Sequence, residues 1–90
     1  MNIYIVMGTT GEYSDRSEWS VVAFKDKEMA KKHVTLATEQ ANEIYKTMID
    51  GIYDFDALPI NPYDPKMKMD YSGTSYFINE TILVEDNLND

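Results

Sequence analysis

The stretch of this sequence with the densest chemistry is residues 8–16, GTTGEYSDR. Two glycines free the backbone to point several N–H groups one way, and two threonine hydroxyls and a guanidinium lie close by. Such donors can bind an anion such as a phosphate. The stretch is not a P-loop, because it lacks Gly-Lys-Ser/Thr and no helix follows directly. An alternative stays open: a long turn whose polar side chains satisfy the backbone, with Arg16 paired to Asp15 or Glu18.

A second polar and aromatic cluster spans residues 70–76, DYSGTSY. It leads into a predicted strand, and whether it reaches the first cluster depends on strand register. If it does, tyrosine rings and donors from both clusters form one pocket; otherwise it is an ordinary strand start with a turn at Ser72-Gly73. At the hairpin tip, we expect Thr10 and Arg16 to be exposed loop side chains. The candidate ligand- or partner-binding residues are Thr9, Thr10, Glu12, Tyr13, Asp15, Arg16, Tyr71 and Thr74.

No catalytic or metal constellation is predicted. The single histidine, His33, falls at the edge of an apolar helix stripe, and the chain has no cysteine. We interpret His33 as a boundary residue and not as a catalytic base. Oxygen ligands do occur together in one loop, but their spacing does not match the EF-hand pattern; they are Asp54, Asp56, Asn61 and Asp64. The sequence therefore predicts a protein that is not an enzyme and has no cofactor.

The formal charge of −8 is concentrated in the second half of the chain. Residues 1–50 hold eight acids and six bases, whereas residues 51–90 hold eight acids and two bases. This field repels nucleic acid and anionic membranes and favours basic protein partners; the alternative is that it serves solubility alone. No apolar stretch approaches the ~20 residues that span a bilayer. With no secretory signal at the N-terminus, we expect a cytoplasmic protein.

One long amphipathic helix is predicted over residues 26–51 and organises the rest. Apolar residues recur at three- and four-residue steps on a single face. Asp26 can cap the first turn, and Gly51 can end the helix in a left-handed conformation.

Three strands are predicted, two before this helix in the chain and one after it. Alternating and β-branched patterns predict strands at residues 2–7, 19–24 and 74–84, so the first two form a hairpin with a long tip. The fold class is α+β, a ββαβ domain over residues 1–90 with an antiparallel sheet of order 2-1-3 and the helix on one face. Residues 52–73, with three prolines, should form a loop lying on the body of the domain. The acidic tail 85–90 is expected to fray.

The predicted strands have apolar side chains on both faces, and only one helix is available to cover them. Either the proline-rich loop or a second subunit must cover the other face. We expect Tyr76 and Ile78 on this uncovered face, and we expect a homo-oligomer formed through it.

The sequence resembles a group of small uncharacterised bacteriophage and prophage proteins. The resemblance rests on YIVMGTTGEYSDRSEW and NPYDPKMKMDYSGTSYFINE, with the helix between them. It implies a phage accessory protein in the host cytoplasm that binds and inhibits or modulates a host factor, such as a defence component, through its acidic surface. The alternative is an oligomeric binder that sequesters a nucleotide-type signal through the hairpin tip. The group brings no established activity.

Overall fold

The computed structural model describes residues 1–49 and 59–84. Strand β1 is Asn2–Thr10, β2 is Ser17–Phe24, helix α1 is Lys27–Ile49 and β3 is Thr74–Ile82. The sheet has order β2-β1-β3, and both pairings are antiparallel. The predicted α+β fold, with its strand order and single helix, is confirmed. The predicted helix end at Gly51 and the tail 85–90 lie outside the described residues.

The hairpin tip is shorter than the sequence suggested. The strands continue to Thr10 on one side and from Ser17 on the other, so the hairpin tip is residues 11–16 only. Threonine is β-branched and suits a strand. Gly8 is needed for close approach, since a Cβ there would lie 2.5 Å from Cε2 of Trp19. Sequence reasoning assigned this glycine to the turn, but the indole that covers it comes from the opposite strand.

Helix α1 begins as predicted. The Asp26 carboxylate accepts hydrogen bonds from the N–H groups of Glu28 at 2.8 Å and Met29 at 3.4 Å. This side chain thereby caps donors that have no partner within the helix. The buried stripe consists mainly of small residues, which let the helix lie close to the sheet: Ala30, Ala37, Ala41 and Ile44.

The face of the sheet beneath α1 carries the even-numbered residues. Val6 is fully buried, Tyr76 is buried, and Ile78 packs against the same core. The expectation that Tyr76 and Ile78 lie on the uncovered face is therefore wrong, because register alone decides which alternate set meets the helix. The other face, here the open face, carries Ile3, Ile5, Met7 and Phe77.

The proline-rich segment packs on the helix side of the sheet. Asn61, Asp64 and Met69 are buried, and Tyr63 and Met67 pack against the core. For residues 59–73 the prediction that the loop lies on the domain body is confirmed, while residues 52–58 lie outside the described part. The described residues of the loop therefore lie on the helix side of the sheet and not on the open face.

A buried hydrogen-bond network fastens this loop. The Asp64 carboxylate accepts from the indole N–H of Trp19 at 2.9 Å and from the hydroxyl of Tyr76 at 2.8 Å. The Asn61 amide donates to the carbonyl of Ala37 at 3.1 Å. Burial, together with the neighbouring Asp64 carboxylate, raises the pKa of the Tyr76 hydroxyl far above its ordinary value. These polar groups are thus paired with one another and hold loop, helix and sheet together.

Within residues 1–49 and 59–84, no helix combines the length and the apolar character needed to cross a membrane.

Candidate functional site

The hairpin tip is a tight and well-anchored turn. Gly11 has φ +90, and a Cβ on it would collide with the carbonyl oxygen of Asp15. Two backbone hydrogen bonds close the 3₁₀ turn that follows: Asp15 N–H to the Glu12 carbonyl at 3.0 Å and Arg16 N–H to the Tyr13 carbonyl at 3.2 Å. Glycine is required here because only it tolerates both the positive φ and the close carbonyl.

Tyr13 is the conformational outlier of the described chain. It has φ +53, and it is the only non-glycine residue with a positive φ in the part of the chain that the structure describes. For a bulky residue the left-handed conformation costs about 1–2 kcal/mol. The residue is 94% exposed. The tip therefore holds an aromatic ring out into solvent in a conformation that glycine or asparagine would adopt more easily.

Acidic groups dominate the surface around this ring. Glu12 and Asp15 are exposed. The Arg16 guanidinium forms an ion pair with the Glu18 carboxylate at 2.6 Å, which is one of the two pairings that the turn alternative allowed. An open depression of about 550 Å³ lies beside the ring, lined by Thr9, Gly11, Glu12, Tyr13 and Arg16.

The second cluster does meet the hairpin tip. The Thr10 hydroxyl donates to the Gly73 carbonyl at 2.6 Å and accepts from the Asp70 N–H at 3.1 Å. The Gly11 N–H donates to the Ser72 hydroxyl at 3.2 Å. The register Thr10↔Thr74 between β1 and β3 places the two turns side by side. The juxtaposition that the sequence left open is therefore present.

Asp70 organises the second turn. Hydrogen bonds from the Ser72 hydroxyl and the Ser72 N–H hold the pKa of the Asp70 carboxyl below its usual range, against a smaller opposing effect of burial. The N–H of Ser72, two residues on, lies 2.8 Å from the carboxylate. Sequence reasoning named neither Asp70 nor Ser72 as a site residue, although Asp is a residue type whose side chain commonly bonds the backbone two residues on in an Asx turn.

The candidate binding residues fall into two groups. Thr10 and Thr74 are buried, and the Thr74 hydroxyl donates to the Lys68 carbonyl at 2.5 Å. The Thr10 hydroxyl holds the two turns together, and the Thr74 hydroxyl bonds within the second segment. The expectation of an exposed side chain is therefore wrong for Thr10. Thr9 is half-buried in β1. The residues that reach solvent are Glu12, Tyr13, Asp15, Arg16 and Tyr71, and the carbonyl of Tyr71 is bonded by the Tyr45 hydroxyl at 2.8 Å.

His33 has a structural setting. Its Nε2 lies 2.7 Å from the carbonyl of Tyr63, and its ring contacts the rings of Phe24 and Tyr63. Asp64, once a potential oxygen ligand, is engaged in the buried network, and Asp54 and Asp56 lie outside the described residues. Across residues 1–49 and 59–84, no group of three or more His, Asp or Glu side chains is placed to hold a metal ion.

The chain matches no protein-family model, and no curated protein or solved structure is significantly similar to it.

Proposed function

We propose that this chain is a non-catalytic accessory protein that binds a basic host protein through its acidic hairpin tip and thereby inhibits or modulates it. The observation that carries the proposal is Tyr13, a residue that is strained in its backbone and 94% exposed. The resemblance to phage proteins supports a host factor as the partner.

The backbone strain at Tyr13 supports a binding role. A left-handed tyrosine costs about 1–2 kcal/mol, and a glycine or asparagine at the same position would avoid most of that cost. The Tyr13 ring has no hydrogen bond or aromatic neighbour among the described residues. A contact with another molecule would repay the cost. Strained residues cluster at binding and switching sites, and tyrosine is enriched among the residues that dominate binding energy.

The rigidity of the hairpin tip also supports a binding role. Gly11, the 3₁₀ turn and the hydrogen bonds to residues 70–73 fix the hairpin tip before any partner arrives. A pre-ordered tip loses less conformational entropy on binding, so more of the contact energy appears as affinity. The arrangement suits a wedge that enters a cleft of the partner.

The negative charge around Tyr13 indicates a basic partner. Glu12 and Asp15 flank the ring, while Arg16 is neutralised by Glu18. The whole chain carries −8. Complementary potential accelerates encounter and suppresses wrong partners, so the cleft that accepts Tyr13 should have a rim of Lys and Arg.

A nucleotide-type ligand is the second candidate, and the depression of about 550 Å³ beside Tyr13 is the observation that favours it. Its one guanidinium is already paired with Glu18 at 2.6 Å, and Glu12 contributes a carboxylate to the lining. Both features weaken phosphate binding, so we rank this function second. Absorbance at 260 nm and mass spectrometry of the purified, heat-released fraction test it directly: a stoichiometric nucleotide would support it.

The test of the main proposal uses three variants of one turn. Tyr13→Gly removes the ring and relieves the backbone, so the melting temperature should stay unchanged or rise. Binding to the partner should weaken by about 30-fold or more, the equivalent of ~2 kcal/mol for a dominant interface residue. Tyr13→Phe should keep most of the affinity, and Ser14→Ala, at the neighbouring exposed position, is the matched control.

Proteins captured from a bacterial host lysate are compared quantitatively across these variants, and the captured candidate is then measured by surface plasmon resonance. A partner retained by wild type, Tyr13→Phe and Ser14→Ala but lost with Tyr13→Gly supports the proposal. Equal binding by Tyr13→Gly and wild type contradicts it and would assign the tip a purely structural role.

A further inference from the structure

We propose that β3 pairs antiparallel with β3 of a second copy of this chain, with the two-fold axis at Ile78, so that two sheets join into one of six strands. This inference is independent of the proposed function and depends on the outer edge of β3.

Half of the backbone N–H and C=O groups of β3 point away from β1. The Leu83 N–H donates to the Met1 carbonyl at 2.7 Å. Because antiparallel pairing alternates along a strand, the odd-numbered residues of β3 face β1 and the even-numbered residues direct their N–H and C=O groups outward. These are Thr74, Tyr76, Ile78, Glu80 and Ile82. Within residues 1–49 and 59–84, no backbone–backbone hydrogen bond reaches this outer edge.

β3 is a regular strand that is suited to pairing with another strand. Nine consecutive residues pair with β1 without a bulge, and the strand holds one charged residue, Glu80, and no Lys or Pro. Natural edge strands usually carry bulges, charges or prolines that prevent pairing with another chain. β2, the opposite edge, has such a bulge opposite Val6 and Met7. Among the described residues, the edge strand without a bulge is therefore β3.

The two ends of β3 are complementary to each other. Tyr71, just before the strand, is 68% exposed, and Ile82 and Val84 at the other end are 68% and 77% exposed. Antiparallel pairing about Ile78 puts Ile82 opposite Thr74 of the second copy. It also carries Val84 alongside residue 72, next to Tyr71, of that copy. Exposed apolar groups from both ends are buried together, and parallel pairing would not bring them into contact.

Charge selects the register. With the axis at Ile78, each Glu80 lies opposite Tyr76 of the second copy. With the axis at Glu80, the two carboxylates would lie directly opposite each other, which destabilises a sheet. The Ile78 axis also uses all five outward residues of each strand, forming about ten backbone hydrogen bonds.

Two consequences follow for the assembly. The open faces join into one surface that carries Ile3, Ile5, Met7 and Phe77 from each copy. The two hairpin tips lie at opposite ends of the sheet, separated by at least the length of β3, about 30 Å. The dimer is thus bivalent toward any partner of the tip.

Sedimentation equilibrium tests the dimer. The wild type should show a concentration-dependent mass that approaches twice 10.4 kDa. Ile82→Lys introduces a charge at the pairing edge and should raise the dimer dissociation constant at least tenfold. Val22→Lys, at an exposed position of the opposite edge strand, is the matched control and should leave it unchanged. A monomeric wild type at several hundred micromolar, or equal effects of the two variants, overturns the proposal.

The register has its own test, since the chain has no cysteine. Phe77 and Asn79 lie on the open face, and an axis at Ile78 places each opposite the other residue of the second copy as a close, non-hydrogen-bonded pair suited to a disulfide. Mixing Phe77→Cys protein with differently tagged Asn79→Cys protein should yield the mixed disulfide at least several-fold over either homodimer. Predominance of the Phe77→Cys homodimer places the axis at residue 77 and overturns the proposed register; predominance of the Asn79→Cys homodimer does the same for residue 79.

Discussion

At the scale of single residues, some side chains of the candidate site face solvent, and others are buried and anchor the two turns. Thr9 and Thr10 are neighbours of the same type, yet only Thr10 is buried with its hydroxyl bonded at 2.6 Å and 3.1 Å. The difference follows from alternation along β1, which turns Thr10 toward residues 70–73. Thr10 therefore supports the tip, whereas Tyr13 is exposed to solvent at the tip.

Thr10→Val should destabilise the protein by about 1–3 kcal/mol, because the Gly73 carbonyl and the Asp70 N–H lose a partner while the side-chain volume stays the same. Thr9→Val, on the opposite face of the same strand, should change the free energy of unfolding by less than about 0.5 kcal/mol. Urea unfolding followed by circular dichroism measures both. If the two variants unfold at the same urea concentration, the Thr10 hydroxyl is not the clamp described above.

At the scale of elements, the loop 59–73 joins helix and sheet through buried polar groups. Asp64 accepts hydrogen bonds from one residue of β2 and one of β3, and Asn61 bonds the helix carbonyl of Ala37. Each partner comes from a different element, so the network can form only when all of them are in place. This explains how a segment rich in proline and turn residues belongs to the core.

The raised pKa of Tyr76 gives this network a pH signature. The folded state holds the hydroxyl proton more tightly than the unfolded state does, so the stabilisation is complete below the ordinary pKa of 10.0 and is lost as pH rises above it. The free energy of unfolding should therefore fall between pH 8 and pH 11. Tyr76→Phe should lose less over that interval, whereas Tyr71→Phe, exposed at the surface, should behave as wild type. An equal loss in Tyr76→Phe and wild type would contradict the assignment.

At the scale of the whole molecule, net charge governs both stability and association. Each chain carries −8, and three surface ion pairs in the described part offset little of the repulsion. The two proposed associations should respond to salt in opposite directions: binding to a basic partner should weaken, and pairing of two acidic copies should strengthen.

Raising sodium chloride from about 10 to 200 mM shortens the Debye length from about 30 Å to below 10 Å and should raise the melting temperature by a few degrees. Calorimetry at fixed pH measures this change, and sodium sulfate at matched ionic strength controls for specific ion effects. A melting temperature that falls with salt would mean that attractive surface pairs outweigh the net repulsion.

Local patterns in the sequence determined the order and type of the elements. The three- and four-residue periodicity identified α1, the carboxylate of Asp26 identified its cap, and alternation identified three strands. The hairpin followed by a helical crossover predicted their order, 2-1-3. These signals depend on neighbours within a few residues, where backbone geometry fixes the spacing of side chains. They also located the hairpin tip, although they made it too long.

Tertiary structure decided which face of each strand is buried and which polar groups are available. Tyr76 lies under the helix, Thr10 bonds residues about 60 positions away, and Asn61 and Asp64 are core residues despite their turn-forming type. Alternation defines two sets of side chains but does not say which set meets the helix. That choice depends on register and on contacts between distant segments, whose energies appear only when the whole chain is folded.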